Sequence, residues 1–558
     1  MNPFRRRLAL LLCAAMLFAV PCFAEEGEMR ILVVETTDIH GYIMDASSGN
    51  PATFQYRMPC IAHMIGELRD SGRYDGVILL DGGDLYQGTP VSNLTGGAAM
   101  RALVDRMGYD AVALGNHEFD WEVTEYAADS AGTVAPYALG DDFGDPDTPV
   151  LACNLYDART GARVPFTRDY TIVEKAGKRV AVVGYIPDYR GSIMAARIAP
   201  YRIDDDLDKL DALVRRVNAL ERPDALIVLA HADPRSVARA MDPKEVALVA
   251  GGHTHQTVLG TAENGVPFMQ GRCYGQGFAS AELVFGPDGG VSVEDLQCND
   301  ILSNRKLLYD TQENAPHLDA DLMALCRATW DAVSDQMSEV LGYIDAPILR
   351  PSGVGASSGG NWMTGLMLRA TRSEGTVAAF YNASGIRVNL KIPKGAQTRA
   401  VTVYDVYSIA PFFNSLLVYE LTGAELRQQL INGLIDPDYG DQMTGLTFTY
   451  TATGDADTDR ARRKYTILSI ALDDGTPVDP EDTKTLYRVC VSAYSATLPR
   501  SVFAGKTPVV PEAEAPVDNE SMIRLLREEG LANGGHIAVD DGPRGIEVAA
   551  PEAMADAA

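Results

Sequence analysis

Past residue 24 the chain lacks any stretch of the roughly 18 uninterrupted apolar residues that a membrane-crossing helix needs, so a bilayer-spanning body is not expected. It also lacks a Cys-x-x-Cys pair. Of eight cysteines, Cys60, Cys153, Cys273, Cys298, Cys326 and Cys490 lie beyond the first 24 residues, scattered, which argues against a zinc–thiolate site. For so long a chain they are too few for a disulfide scaffold, and their connectivity is left open. Positive charge is scarce too: 48 Lys and Arg face 76 Asp and Glu, for a net charge of −28. That disfavours binding to nucleic-acid polymers, which rests on Lys and Arg contacts to phosphates. An acidic protein that takes an anionic substrate needs a locally positive site, and bound metal ions supply one. No internal repeat is present.

What is present begins with a leader. Arg5-Arg6-Arg7 precedes an apolar run from Leu8 to Val20, and Cys22-Phe23-Ala24 ends in a small residue before Glu25. This pattern predicts a signal peptide over residues 1–24 and an exported protein: periplasmic, extracellular or at the cell surface.

Five apolar runs then read as buried strands, and each ends in Asp, Asn or His. Arg30–Val34 leads into Thr37-Asp38-Ile39-His40. Gly76–Leu80 leads into Asp81-Gly82-Gly83-Asp84. Tyr109–Leu114 leads into Gly115-Asn116-His117-Glu118-Phe119-Asp120. Ala225–Ala230 leads into His231, and Val246–Ala250 into Gly251-Gly252-His253-Thr254-His255. Five of the eight histidines fall in these clusters. Strand ends that all carry such residues predict one crowded site at one edge of a sheet. Further strands are expected at Arg179–Tyr185 and Ala281–Phe285, with helices at Met58–Arg69 and Asp206–Leu220, an alternation that predicts an α/β layered domain.

The set Asp-x-His, Gly-Asp-x-x-x-Gly (Gly83 to Gly88), Gly-Asn-His-Glu, a strand-end His and Gly-His-x-His, in that order, resembles the calcineurin-like dimetal phosphoesterases. Within them Thr36–His40 and Gly115–Asp120 resemble the secreted 5'-nucleotidase and 2',3'-cyclic-nucleotide phosphodiesterase family. The resemblance is strong to about residue 285 and looser after it. It implies an N-terminal four-layer αββα sandwich over 28–300 and a linker with a helix over 301–345. It also implies a C-terminal α/β substrate-binding domain over 346–545. A flexible tail over 546–558 would follow. The linker helix is read at 316–340 from the spacing of Leu318, Leu322, Leu325, Trp330, Val333, Met337 and Val340. Gly353–Gly360 reads as a flexible loop by composition, and Pro508–Pro516 as a mobile segment. Asn93, Asn382 and Asn519 match the N-glycosylation pattern and are taken as chance matches.

By the same resemblance Asp84 bridges two divalent ions. Asp38, His40 and His255 complete one site; Asn116, His231 and His253 complete the other. Such a pair of ions, about 3.5–4 Å apart, activates a water as hydroxide for in-line attack on phosphorus. Oxygen and nitrogen donors without thiolate suit Mn, Zn, Fe, Co or Mg alike. His117 is assigned to stabilise the transition state and protonate the leaving oxygen, with Asp120 orienting its ring. His63, His317 and His536 are given no role.

In the second domain Asn382-Ala383-Ser384-Gly385-Ile386-Arg387 resembles the family's Asn-x-Gly-Gly-Ile-Arg, and Pro411-Phe412-Phe413-Asn414 its Pro-Phe-x-Asn. The resemblance implies a base held between the rings of Phe412 and Tyr494, with Arg387 offering a fork to a phosphate or carboxylate. Two family features depart here. The opening Glu-x-Asn-x-Gly-Asn is degenerate at Gly360–Gly365, and no Gly-Gly-Asp-Gly follows Tyr494. Three functions stay open at this level: hydrolysis of nucleotides, 5'-monophosphates or 2',3'-cyclic forms; the same scaffold acting on a nucleotide-sugar pyrophosphate or a sulfur ester; and a binding protein without turnover.

Overall fold

The computed structural model describes residues 28–46, 50–120, 148–189, 193, 195–353, 357–454, 460–498 and 500–549. The leader read at 1–24 and the tail from residue 550 lie outside them.

Two six-stranded sheets face each other in the first domain. One runs in the order Val291–Asp300, Gly277–Phe285, Met29–Thr36, Gly76–Asp81, Ala111–Ala113, Val150–Leu151. The other runs Val258–Thr261, Pro267–Gln270, Leu248–Ala250, Ala225–Ala230, Lys178–Tyr185, Tyr170–Lys175. Side chains of a strand alternate between faces, and here both faces are apolar. Ile31, Val33, Ile78 and Leu80 pack against Val180, Val182, Ile227 and Leu229 of the other sheet. Leu32, Val34, Val77 and Leu79 turn outward to Met58, Ile61 and Ile65 of the helix Arg57–Asp70. Ala181, Val183, Leu226 and Val228 turn outward to Leu210, Val214 and Val217 of the helix Leu207–Glu221. Continuous apolar runs are therefore needed, since each strand is covered on both sides. The result is the four-layer αββα sandwich.

The central strands pair in parallel: Met29–Thr36 with Gly76–Asp81, that strand with Ala111–Ala113, Lys178–Tyr185 with Ala225–Ala230, and that strand with Leu248–Ala250. Parallel pairing brings their C-terminal ends to one edge, and with them Asp38, Asp84, Asn116, His231 and His253.

The helix expected at 316–340 spans Ala320–Met337, because Asp319 caps it by accepting the Leu322 N–H at 2.8 Å. Short 3-10 turns at Ile301–Leu308 and Ala315–His317 occupy the residues before it. Trp330 on this helix meets Phe54 of the first domain edge-on, ring centroids 4.8 Å apart, and Tyr404 of the second at 6.1 Å. It is wedged between the domains.

The second domain holds a four-stranded sheet, Leu416–Thr422, Leu486–Ser492, Ala378–Tyr381, Gln442–Thr444, and a second one of Pro477–Val478, Lys464–Leu472, Leu446–Thr453, Gly545–Glu547. Two expectations are corrected here. The loop read at Gly353–Gly360 ends early, because Ser358–Gly360 form the first turn of the helix Ser358–Ala370, capped by Ser357. A Cβ on Gly360 would lie 2.0 Å from Gln442 Oε1, so that glycine serves close packing and not flexibility. Ile546 and Glu547, expected in the tail, instead pair with Thr449 and Tyr450. Asn361 of the degenerate segment donates to the Gly542 carbonyl at 2.8 Å and serves the fold. All six described cysteines are free. Asn93, Asn382 and Asn519 are 8%, 4% and 0% exposed, which closes them to a glycan. Among the described residues no helix is long and apolar enough to cross a membrane.

Candidate metal centre and substrate cavity

The loops that follow the parallel strands are held in unusual backbone. Asp38, His40, Asp84, His253 and His255 all have positive φ, from 50° to 70°. A non-glycine residue there costs on the order of 1–3 kcal/mol and persists only where its surroundings over-determine it. Here three backbone hydrogen bonds of 2.9 Å lock the first two loops together: Asp38 N–H to Gly83 O, His40 N–H to Asp84 O and Gly41 N–H to Leu85 O. Close approach completes the lock. A Cβ on Gly115 would sit 2.3 Å from Asp84 Oδ1.

The donor atoms of Asp38, His40, Asp84 and His255 converge within 4.8 Å of one another, and so do those of Asp84, His231 and His253. Asp84 belongs to both groups. Its Oδ2 lies 3.1 Å from His231 Nε2 and 3.8 Å from His40 Nε2. Asn116 Oδ1 lies 3.1 Å from His231 Nε2 and 2.9 Å from His253 Nδ1. The far nitrogens of two rings are spoken for: His40 Nδ1–H donates to Gln87 O and His231 Nδ1–H to Gly82 O, each at 2.8 Å. Such outer contacts set the tautomer and aim the other nitrogen inward. Burial keeps His40 and His253 neutral: the first is pushed well below the usual imidazole range despite Asp84, and the second down to about 4. Neutral rings are ligands; at His231, by contrast, burial is outweighed by the Asp84 carboxylate, which pushes the ring up to about 10. His40 Nε2 and His255 Nε2 stand only 3.2 Å apart, a spacing that a shared cation would satisfy. Two buried carboxylates, one amide oxygen and four imidazoles, with one carboxylate common to both groups, fit a pair of divalent ions.

His117 stands beside this cluster. Its backbone N–H donates to Asp84 Oδ1 at 2.8 Å, and its Nδ1–H to Asp120 Oδ2 at 2.7 Å. Burial works against its charge, but the Asp120 and Asp84 carboxylates outweigh burial and push it up to about 9.

Sequence reasoning gave Glu118 no role. Its buried carboxylate accepts three backbone N–H groups: Asp84 at 3.0 Å, Leu85 at 2.8 Å and Gly115 at 2.6 Å. It thus ties the Asp84 loop to the Asn116 loop. Its place inside Gly-Asn-His-Glu was the available signal. Glu118→Gln puts an amide NH₂ against one of these donors. An unsatisfied buried donor costs about 1–3 kcal/mol, so a lower Tm is expected. Metal affinity, read by titration, should fall about 10- to 100-fold, as for other groups that hold ligands in place.

The second domain closes over the cluster. Gln87 Nε2 and Asn93 Nδ2 donate to the Pro411 carbonyl at 3.1 and 2.8 Å. That contact sets Phe412 over His117, ring centroids 5.6 Å apart and planes 30° apart. The Arg387 guanidinium lies 5.4 Å from the Phe412 centroid and donates to Tyr274 OH at 2.8 Å. Tyr274, which the sequence did not single out, contacts the His40 and His255 rings at 5.6 and 5.0 Å. Tyr189, also missed, stacks on His253 at 3.8 Å. A cavity of about 260 Å³ runs from Asn116, His117, Asp120 and His253 to Asn382, Arg387, Phe412 and Tyr494. Every candidate site residue is thus gathered at one seam. His63 lies apart, 3.6 Å from Glu67 and against the His317 ring, and His536 pairs with Asp345 at 3.3 Å.

Comparison with known proteins agrees with this anatomy. The calcineurin-like phosphoesterase model matches residues 29–257, and the 5'-nucleotidase C-terminal domain model matches residues 340–498. The trifunctional nucleotide phosphoesterase protein YfkN of Bacillus subtilis (strain 168) is 24% identical over 84% of this chain. The chain spans only 32% of that relative's length. The crystal structure of a 5'-nucleotidase precursor from Thermus thermophilus superposes with a TM-score of 0.70 at 23% identity. It covers 94% of this chain and 100% of its own. The sulfate thiohydrolase SoxB of Thermus thermophilus superposes at 0.62 and 17% identity, covering 93% and 97%. One fold thus carries different substrates. Calcineurin-like phosphoesterases use two divalent metals, which is what the donor set here fits. From the two domain matches and the fold that joins them, the chain belongs to the family in which a calcineurin-like phosphoesterase domain is coupled to a 5'-nucleotidase C-terminal domain.

Proposed function

We propose that the protein is an exported, metal-dependent phosphoester hydrolase acting on nucleotides, as 5'-monophosphates or 2',3'-cyclic forms. One observation carries this reading: a single cavity joins the Asp84-centred donor cluster and the His117–Asp120 pair to aromatic rings and an arginine of the second domain. When bound, two divalent ions supply Lewis acidity and neutralise charge at the phosphoryl group. The chain's own residues do the rest. Asp84, which belongs to both donor groups, would be the ligand common to both ions. His117, charged and oriented by Asp120, delivers a proton to the leaving oxygen through Nε2. Arg387 holds a phosphate oxygen, Phe412 and Tyr494 hold the base, and Asn382 lines the wall between them. The paired acid and intact donor set speak against a binding protein without turnover. Export rests on the leader read at residues 1–24.

Metal-reconstituted protein assayed against nucleotides, cyclic nucleotides and bis(p-nitrophenyl) phosphate tests the reading. In that assay Phe412→Ala should raise KM for nucleotides, because it removes binding remote from phosphorus. Loss of one stacked ring is worth about 1–3 kcal/mol, which predicts a rise of roughly 5- to 150-fold. Bis(p-nitrophenyl) phosphate carries no base, so its kinetics should move far less. A parallel fall on both substrates would place Phe412 in packing instead.

A further inference from the structure

The cavity wall away from the metal cluster is unexpected for a site that takes an anion, because it presents a carboxylate. Asp438, on the 3-10 turn Pro437–Tyr439, lines the cavity. The Ser384 hydroxyl donates to Asp438 Oδ1 at 2.7 Å, and the Tyr494 hydroxyl also hydrogen-bonds to this carboxylate. Ser384 in turn accepts from Asn382 Nδ2 at 2.8 Å. That bond fixes the Asn382 amide and leaves its Oδ1 without a partner, on a side chain only 4% exposed that lines the same cavity. A buried acceptor without a donor costs free energy unless a ligand fills it. Ser384 stands where the family pattern Asn-x-Gly-Gly-Ile-Arg has glycine, so this relay belongs to the present sequence.

The cavity is therefore polarised. Arg387 offers donors at one end; Asp438 and Asn382 offer acceptors at the other. Neither acceptor suits a phosphate. We propose that Asp438, held by Ser384 and Tyr494, forms with the Asn382 carbonyl an acceptor pair that determines specificity. It would select phosphoesters whose organic part presents adjacent hydrogen-bond donors. The inference rests on the phosphoesterase reading above and deepens it. The pair acts on which substrate is held, not on the chemical step. Adjacent donors come from two sources, the hydroxyls of a ribose or the amino and ring N–H edge of a base.

The test compares kcat/KM ratios, which do not depend on the active fraction of a preparation. Wild type, Asp438→Ala and Ser384→Ala are assayed with adenosine 5'-monophosphate, its 2'-deoxy and 3'-deoxy forms, and the purine analogue lacking the 6-amino group. Wild type should favour the donor-bearing substrate in the sugar arm or in the base arm. Hydrogen bonds to a charged group are worth about 1.5–3 kcal/mol, so a ratio of roughly 10- to 150-fold is expected. Asp438→Ala should bring that ratio close to one, and Ser384→Ala should lower it partway. A wild type that discriminates in neither arm overturns the proposal, as does an Asp438→Ala ratio equal to that of wild type. Titration of adenosine, its deoxy forms and the purine nucleoside lacking the 6-amino group into the protein reads the same pair in both arms without turnover. Loss of the binding preference in Asp438→Ala supports the proposal even if no nucleotide is hydrolysed, an outcome that would sink only the nucleotidase reading. An unchanged preference overturns it.

Discussion

Asp84→Asn should cost the protein most of its bound metal and most of its turnover. Asp84 is the one carboxylate shared by both donor groups, with Oδ2 facing His231 Nε2 and His40 Nε2 at 3.1 and 3.8 Å. An amide keeps the shape. Its oxygen can still accept the His117 backbone N–H now held at 2.8 Å, so the loop has reason to survive. What disappears is the negative charge that two bound cations would share, together with one of two lone-pair-bearing oxygens. Removing a group that merely orients a ligand costs about 10- to 100-fold in affinity or activity, so removing the shared ligand should exceed 100-fold. Metal content by plasma emission after gel filtration, measured beside turnover, checks this. Two retained metal equivalents with full activity would show that another residue joins the ions.

The second large effect is expected at His117. His117→Ala should keep its metal, because the ring is not one of the converging donors, yet lose about 10²–10⁴-fold in rate, the usual worth of a positioned proton donor. The leaving group separates two roles. A nucleoside alkoxide needs a proton and should show the full loss. p-Nitrophenolate leaves without one and should show much less. Equal losses would argue that the imidazolium acts only as a charge at phosphorus. Asp120→Asn should weaken the same step less severely. The carboxylate 2.7 Å from Nδ1 and the Asp84 carboxylate together outweigh burial and hold His117 at about 9, and the variant keeps one of these two. His117 also carries the Phe412 ring at 5.6 Å, so its loss should loosen the second domain's grip. A change in Phe412 fluorescence would be too weak to report this. Protection of Phe412–Asn414 amides from hydrogen exchange is the better readout.

How much of this was legible beforehand differs by element. The five apolar runs with Asp, Asn or His at their ends were readable because a strand covered on both faces must be apolar throughout, and a polar residue is tolerated only where the strand leaves the sheet. That local rule placed Asp38, Asp84, Asn116, His231 and His253 without any tertiary knowledge. The helix Ser358–Ala370 was misread at its start, because Gly359 and Gly360 signal a loop by propensity. Packing against Leu349 O and Gln442 Oε1 demands them there instead. The strand Gly545–Glu547 was invisible, since three residues carry no periodicity and only the partner Leu446–Thr453 makes them a strand.

The sequence by itself determined the strand-end clusters of Asp, Asn and His, their order and the layered α/β first domain, because these follow from residue type and from spacing along the chain; which members of the clusters are donors came from the family resemblance. Tertiary structure alone decided which residues meet across the seam. Phe412 comes to lie over His117, Arg387 finds Tyr274, and Asp438 turns its carboxylate to Ser384 and Tyr494 in the same cavity. These pairs are separated by tens to hundreds of residues. Their proximity depends on how two domains close around the Trp330 helix and the Pro411 carbonyl, and no local propensity encodes that closure.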